Sequence, residues 1–380
     1  MLNLVHLKPQ INKMVEWERQ FVEDIVERLR FAVTELGERA EGWEELSRMV
    51  EETASPLLLA KPLGPLNAAY PLPARPSDYT LVATDGSQIF PDRHESFPCY
   101  LINIGSVVLR YGSHPGASLT SRPTFFYSDE DMHAVWDGRR VPLSPEAISI
   151  RRSLMEFRGL LSLARDNCDN RPVMAFSDGT LILFSLESTP SDFRSGVLSV
   201  FTEVMDGLRE LGVPTAGYIS LPGSVDVVNT LGFAVSSEAG ADGGGLEALE
   251  GVTDKALFGA VLSEGERSGL FMSTSRILRS YGSHAVSFYY LNVGEEIVRV
   301  ELPRWVAEDP ALLNQTHSIA YDQAKKGGGY PVALQEAHEQ AVVRGGDREF
   351  FFDLLREARV RADLPVRMSR KGLSKRRPRV

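Results

Sequence analysis

Two aspartates follow short apolar runs that have the composition of buried strands. Asp85 closes the stretch YTLVATD and Asp178 closes RPVMAFSD, and a glycine follows each of them directly. Asp-Gly is common turn chemistry, so either aspartate alone predicts only a turn. Together, two acids at strand ends also have the chemistry to hold a divalent cation, because hard ions prefer carboxylate oxygens as ligands.

The elements between the two acids predict that they meet. The sequence patterns indicate three strands, a helix and a fourth strand, at 79–84, 99–112, 123–128, 144–166 and 171–184. Ser144 is the expected cap of the helix and Pro145 its first residue. A helix between two strands of one sheet usually forms a crossover that places the two strands in parallel. Asp85 and Asp178 would then lie close together, where their charges repel unless a cation neutralises them.

The helix between these strands supplies a third candidate ligand, Glu156. It lies at helical spacing from Leu160 and Leu163 and can therefore face the sheet. The alternative for Glu156 is an ion pair with Arg152, one turn earlier in the helix. Glu146 is the weaker candidate, because a carboxylate in the first turn already interacts favourably with the helix dipole. Three acids from strand, helix and strand predict a site for Mn²⁺ or Mg²⁺, with two ions as the expected number.

The composition is that of an ordinary globular protein, with 43% hydrophobic and 24% charged residues among 380. Two cysteines, Cys99 and Cys168, stand outside any CxxC or Cys/His cluster, which disfavours a disulfide scaffold or a structural zinc site. No apolar run approaches the roughly 18 residues that a membrane-spanning helix needs. The N-terminal residues also lack the layout of a secretory signal. We therefore expect a cytoplasmic protein that does not contact membranes.

The charge is distributed unevenly along the chain. The net charge is −10, yet the last 14 residues carry seven of the 41 Lys and Arg residues and no acid. This basic tail is either a solvated terminus or a segment that contacts nucleic-acid phosphates.

The patterns divide the chain into three consecutive parts, which are a helical arm with a Pro-rich linker, an α/β domain, and a helix end with the basic tail, at 1–78, 79–350 and 351–380. In the arm, one apolar face is formed by Met14, Phe21, Ile25, Leu29 and Leu36. This face packs either on a partner or second copy, or in the core of the chain itself. The remaining predicted elements are a helix at 197–211, a strand at 213–220, a loop at 237–245, a hairpin of 287–293 with 295–303, and helices at 309–325 and 331–343.

This order of strands, helix and acids resembles the RNase H-like superfamily of metal nucleases, and more specifically the NurA nucleases. Six stretches carry the resemblance: VATDGSQ, MAFSDGTLI, GYISLPGSVDVV, TDKALFGAVLSEGERSGLF, FYYLNVGEEIVRVELPRWV and GGYPVALQEAHEQAVV. None is specific alone, and their number and order make the match. The resemblance implies an α/β fold with an RNase H-like mixed sheet flanked by helices, and the arm would be an N-terminal helical extension.

The resemblance also implies five active-site positions, which are Asp85, Glu156, Asp178, Tyr330 and His338. The three acids would be the metal ligands, Tyr330 would position the phosphate, and His338 would protonate the leaving oxygen or contact the phosphate. From the residues alone, Tyr330 could equally begin a helix with Pro331, and His338 could be a core histidine.

The implied substrate is double- and single-stranded DNA, cut by a 5′ to 3′ exonuclease and single-strand endonuclease during the resection of double-strand breaks. The implied partners are a second copy of the chain and a HerA-type hexameric ATPase. Candidate DNA-binding residues within the matching stretches are Arg267, Arg299, Arg304, Lys325 and Lys326. Two alternatives stay open. One is a non-catalytic interaction subunit, and the other is a phosphotransferase of actin-like fold, since SDGTL is similar to a phosphate loop although no second such loop and no GxxxxGK[ST] occurs.

Overall fold

A computed structural model of the chain describes residues 4–92, 95, 97–136, 138–169, 171–239 and 244–365. The helices are α1 Leu4–Glu38, α2 Trp43–Glu52, α3 Pro145–Asn167, α4 Ser191–Glu210, α5 Asp226–Ala239, α6 Gly245–Ala248, α7 Asp254–Gly259, α8 Arg304–Ala307, α9 Pro310–Lys326, α10 Val332–Ala341 and α11 Gly345–Arg361. The strands are β1 Ala60–Pro62, β2 Ala69–Tyr70, β3 Tyr79–Ile89, β4 Tyr100–Tyr111, β5 Gly116–Phe126, β6 His133–Trp136, β7 Arg139–Pro142, β8 Val173–Asp178, β9 Thr215–Ile219, β10 Arg267–Ser268, β11 Phe271–Ser273, β12 Val286–Asn292 and β13 Ile297–Pro303.

The chain forms two compact units that are discontinuous in sequence. Unit 1 contains the residues up to Arg75 together with Tyr218–Gly329, and unit 2 contains Pro76–Gly217 together with the residues from Tyr330 onward. The division falls within β9. The consecutive domains at 1–78, 79–350 and 351–380 stay a prediction, and the basic tail lies outside the described residues.

Unit 2 contains a mixed sheet in the order β8-β3-β4-β5. β3 is antiparallel to β4, from Tyr79↔Tyr111 to Ile89↔Leu101, and β4 is antiparallel to β5. β8 follows α3 and lies parallel to β3. This arrangement confirms the predicted crossover and the RNase H-like mixed sheet, since the fourth strand returns beside the first.

The helices α3 and α10 cover opposite faces of this sheet. Successive residues of a strand point to opposite sides, so Thr84 and Ser87 of β3 mark the two faces. On one face the Thr84 hydroxyl donates to the carbonyl of Glu156 in α3. On the other face the Ser87 hydroxyl donates to the carbonyl of Ala341 in α10. Gly105 permits the close approach of α10, since a Cβ there would lie 2.3 Å from the Ala337 carbonyl oxygen. The Ser144 cap predicted for α3 is also confirmed, and it accepts a hydrogen bond from the amide of Ala147.

Unit 1 contains antiparallel strands in the order β1-β11-β12-β13, and the β12–β13 pair confirms the predicted hairpin. The Pro-rich linker predicted at the end of the arm, residues 55–78, is not a plain linker. Within it β1 pairs with β11 and β2 pairs with β10, while Leu59 and Leu66 are buried. Prolines are compatible with these short strands at the edge of a sheet, where some amides need no partner.

The predicted N-terminal helix is two helices in series, α1 and α2. Only the end of α1 joins the core, where Leu36 is buried, whereas Met14 is 53% exposed. The side chain of Phe21 lies outside the described residues. The predicted loop at 237–245 begins within α5, and 240–243 are likewise not described. Among the described helices, none is both long and apolar enough to cross a membrane.

Candidate active site

Asp85, within β3, and Asp178, at the end of β8, are neighbours in the sheet of unit 2. The parallel register pairs Thr84 of β3 with Ser177 of β8, and Asp85 and Asp178 come next on the two strands. Asp178 is the last residue of β8. The sequence pattern therefore predicted correctly that the two acids would be brought together in one sheet. The strand end and the turn that it indicated at Asp85 are wrong, because β3 continues to Ile89 and pairs with β4 over its whole length.

Asp85 contacts His338 of α10, the helix that covers the face of the sheet to which Asp85 points. One carboxylate oxygen accepts a hydrogen bond of 2.7 Å from the amide of Gly86, and the other lies 2.9 Å from Nδ1 of His338. The His338 side chain is 61% exposed, so it is not a core histidine. The contact orients the imidazole and leaves most of the ring accessible to a bound molecule.

Glu156 approaches the two aspartates from α3, and Gly86 of β3 leaves room for its side chain. A Cβ at Gly86 would lie 2.4 Å from Oε1 of Glu156 and 2.7 Å from Cγ of Arg152, so only glycine leaves room for these side chains. Arg152 and Glu156 form the ion pair considered from the sequence, with 3.0 Å between Nε and Oε1. Arg152 also donates a hydrogen bond to Oε1 of Gln88. Glu156 thus forms the ion pair with Arg152 and also lies near the two aspartates, so the two readings of Glu156 do not exclude each other.

Burial and neighbouring charge destabilise the charged forms of Glu156 and Asp178. The pKa of Glu156 is raised to about 7, with burial as the largest cause; Arg152 opposes the shift, and the charges of Asp85 and Asp178 add to it. Burial also raises the pKa of Asp178, and the hydrogen bond that it accepts from Tyr330 acts in the opposite direction. Keeping neighbouring carboxylates charged costs free energy, and a cation bound between them would lower that cost.

Tyr330 contacts the site through Asp178. Its hydroxyl donates a hydrogen bond to the Asp178 carboxylate, whose pKa is also raised by the charge of Asp85 and lowered by His338. All five predicted active-site residues thus lie in unit 2 and are connected to one another by hydrogen bonds or by charge. Their roles in catalysis stay predictions.

The residues fit a divalent cation in their chemistry. Oε1 of Glu156 is buried and makes no hydrogen bond, and its one close charged contact is the ion pair with Nε of Arg152 at 3.0 Å. A buried carboxylate oxygen without a hydrogen bond is costly, and metal coordination would offset that cost. Across the part of the chain that the structure describes, however, no three His, Cys, Asp or Glu side chains are already arranged as a closed ligand set. Asp85, Glu156 and Asp178 are the residues that would hold the ion.

Two of the predicted DNA-binding residues are internal in unit 1, which corrects the prediction. Arg299 is 4% exposed at its side chain and pairs with Asp226 at 2.7 Å and Glu301 at 3.0 Å. Arg267 is 5% exposed, and its guanidinium carbon lies 4.1 Å from the centre of the Tyr70 ring. Buried guanidinium groups with these internal contacts have no surface to offer a phosphate.

The other three predicted DNA-binding residues lie at the surface of unit 1. Arg304 pairs with Glu308, Lys325 with Glu264 and Lys326 with Asp322. Surface ion pairs of this kind contribute little free energy, so these cations can exchange a carboxylate for a phosphate. Their contact with DNA stays a prediction.

The sequence pattern predicted no role for Gln88, which accepts a hydrogen bond from Arg152, or for Gly86, which leaves room for the Glu156 side chain. Both belong to the stretch VATDGSQ, so the motif contained the signal, but no pattern within it showed that α3 approaches there. Arg152 was considered only as a competing partner of Glu156, whereas it also joins Gln88 on β3 to α3.

The chain is similar in fold to solved structures and matches one family model. No functionally curated protein matches the chain. Among solved structures, the NurA nuclease from Sulfolobus solfataricus is 14% identical, with a TM-score of 0.53 and coverage of 95% of this chain and 98% of that chain, which shows a shared fold. A crystal structure of NurA with manganese is 11% identical, with a TM-score of 0.34 and coverage of 76% and 91%. The family model of the NurA domain matches residues 79–343, which is more than half of the chain. The chain therefore belongs to the NurA domain family.

Proposed function

We propose that this chain is a divalent-metal-dependent nuclease. The observation that carries the proposal is the convergence of Asp85, Glu156 and Asp178 from a strand, a helix and a second strand, with a buried oxygen of Glu156 left without a hydrogen bond. Membership of the NurA domain family supports it. A bound Mn²⁺ or Mg²⁺ would supply a nucleophilic hydroxide and neutralise charge on the scissile phosphate.

The chain's own residues do the positioning and the proton transfer. Asp85 accepts from the Gly86 amide and faces Nδ1 of His338, so its orientation is fixed from two sides. His338, with most of its ring exposed, is placed to donate a proton to the leaving oxygen or to contact the phosphate. Tyr330 holds Asp178 by a hydrogen bond and can transfer that bond to a phosphate oxygen.

The finer assignment is a 5′ to 3′ exonuclease and single-strand endonuclease that acts on DNA during end resection. This assignment rests on the family resemblance. The exposed cations Arg304, Lys325 and Lys326 and the seven positive charges of the basic tail support a polyanionic substrate.

Cleavage of labelled DNA in the presence and absence of metal tests the activity. Duplex and single-stranded DNA, labelled at either end, are incubated with the full chain in Mn²⁺, in Mg²⁺ and in excess EDTA. We expect release of nucleotides from the 5′ end with a divalent ion and none in EDTA, because the ion that the carboxylates would hold is the only proposed means of activating water. A chain that binds DNA but cuts none of it with any divalent ion would be an interaction subunit, and transfer of phosphate from ATP would indicate the phosphotransferase.

We propose further that the chain is a homodimer that works with a hexameric ATPase of the HerA type. The exposed apolar side chains of α1, among them Leu4, Ile11 and Met14, support a contact between copies. We expect light scattering to give twice 42.0 kDa, and Ile11→Glu with Met14→Glu to give the monomer. Lys13→Ala with Glu16→Ala, on the same helix, should leave the dimer intact. A wild-type chain that is monomeric at micromolar concentration would contradict the dimer. In a separate assay with the ATPase present, cleavage of long duplexes should become ATP-dependent.

A further inference from the structure

Unit 2 contains an aromatic pocket that the proposed chemistry does not use. Its volume is 220 Å³, and its walls are formed by residues of β5, of α11 and of the segment before β4. Three aromatic side chains in it are exposed to solvent, Phe97 by 40%, Phe125 by 38% and Tyr127 by 57%. Exposed aromatic rings at one place on a surface mark a binding site more often than chance placement does.

The pocket lies on the same face of the sheet as Asp85. Residues directly opposite each other in antiparallel strands share a face, and so do residues two apart in one strand. Asp85 pairs with Gly105, and Ile89, four residues later, pairs with Leu101, which in turn pairs with Phe125. Strand spacing and residue rise place the Phe125 and Asp85 backbones roughly 16 Å apart. A few nucleotides of extended strand can cover this distance.

The rings in the pocket are held in place and leave faces exposed. Phe125 and Tyr127 stack with 5.2 Å between their centroids, and the edge of Phe351 packs against Phe125 at 5.6 Å. Rings supported in this way lose little conformational entropy when a flat ligand stacks on them. Base stacking on aromatic side chains tolerates any sequence, because every base has a π-face.

The pocket also contains a cation whose charge is not compensated. Arg356 is neutralised by Glu95 at 2.9 Å and by Asp353. Arg359 lies with its guanidinium carbon 5.8 Å from the centre of the Phe97 ring, and it donates a hydrogen bond of 2.9 Å to the carbonyl of Pro365. Within the described ranges no carboxylate pairs with it. Its Nε is buried and has no hydrogen-bond partner. An apolar pocket with a cation that no described carboxylate neutralises is complementary to a ligand that combines a flat ring with a negative charge.

We propose that this aromatic pocket binds a nucleotide of single-stranded DNA, with the base stacked on Tyr127 and Phe125 and a phosphate at Arg359. The proposal rests on the proposed function, and it adds a site that holds one strand beside the acids. Such a site would favour substrates with a free or melted strand, since a paired base cannot enter the pocket.

The test is binding without cleavage. Fluorescence anisotropy of a labelled oligothymidylate is measured with the full chain in EDTA, beside an abasic oligonucleotide of equal length. We expect Tyr127→Ala to weaken binding of the oligothymidylate by about 5- to 100-fold, and Tyr127→Phe to restore it. The abasic strand should bind wild type weakly and should not distinguish it from Tyr127→Ala. Arg359→Gln should reduce the slope of log affinity against log salt by about 0.7.

Leu119→Ala is the matched control. Leu119 lies on the same face of β5, is exposed to the same extent as Phe125, and is outside the pocket. Its replacement should leave DNA affinity unchanged. The proposal is overturned if Tyr127→Ala binds the oligothymidylate like wild type, if Leu119→Ala has the same effect, or if Tyr127→Ala changes the oligomeric mass, which would make the pocket a contact between copies. The binding assay contains no metal, so its result is separate from that of the nuclease assay. Base-dependent binding by a chain without nuclease activity would contradict only the proposed function. Normal cleavage by wild type, together with wild-type binding by Tyr127→Ala, would contradict only this inference.

Discussion

Asp85→Asn and Asp178→Asn are each expected to reduce metal-dependent cleavage by more than about 100-fold, because even the outer partners of metal ligands are worth about 10- to 100-fold. Asparagine keeps the size of aspartate and can still accept the hydrogen bond from the Gly86 amide, so the fold should survive. The metal-free chain should melt at the same temperature or higher. The reason is that either replacement relieves the repulsion that contributes to the raised pKa values of Glu156 and Asp178.

Glu146→Gln is the control for this prediction. Glu146 lies on the same helix as Glu156, at its first turn, where its own backbone amide and Ser144 lower its pKa by hydrogen bonding. Its replacement should leave cleavage within about twofold of wild type, since Glu146 is exposed and interacts only with the helix terminus. Cleavage rates and melting curves are measured side by side. Near-normal cleavage by either aspartate variant would show that these acids do not form the metal site.

Arg299→Ala is expected to lower the free energy of unfolding by about 3–5 kcal/mol, the usual cost of removing one partner from a buried ion pair. The variant leaves Asp226 and Glu301 buried without their common cation. It also removes the guanidinium group from the face of the Phe288 ring, 3.7 Å away. Nearby, burial and the charge of Asp226 already raise the pKa of Asp254 to about 7, so this interior has little capacity for further negative charge.

Arg304→Ala is the comparison that separates structure from DNA binding. Arg304 is 56% exposed, and among the residues that the structure describes its ion-pair partner is Glu308 in the next turn, so its loss should cost less than about 1 kcal/mol. Urea unfolding measures the stability of both variants, and the salt dependence of DNA affinity measures phosphate contacts. We expect Arg304→Ala to flatten that salt dependence and Arg299→Ala to lower stability. A folded, fully stable Arg299→Ala chain with weakened DNA binding would restore Arg299 to the DNA-contacting surface.

The sequence by itself determined the frame of the site. Apolar runs that end on Asp85 and Asp178, with one capped helix between them, were sufficient to predict two parallel neighbouring strands and acids brought together in one sheet. The physical reason is local, since a strand needs only β-forming residues and a turn, and a single helical crossover leaves few topologies. The hairpin of β12 and β13 was predictable for the same reason, because its two strands are adjacent in sequence.

Only the tertiary structure decided which side chains are internal. Arg299 and Arg304 occur five residues apart in one matching stretch, yet one is buried between two carboxylates and the other lies in solvent. The segment 55–78 has the prolines of a linker, but its strand partners lie some 200 residues further along the chain. Burial and long-range pairing depend on surfaces contributed by distant segments, and no local pattern specifies them. For the same reason the room above Gly86 for Glu156, the approach of α10 at Gly105 and the aromatic pocket of β5 and α11 became visible only in the folded chain.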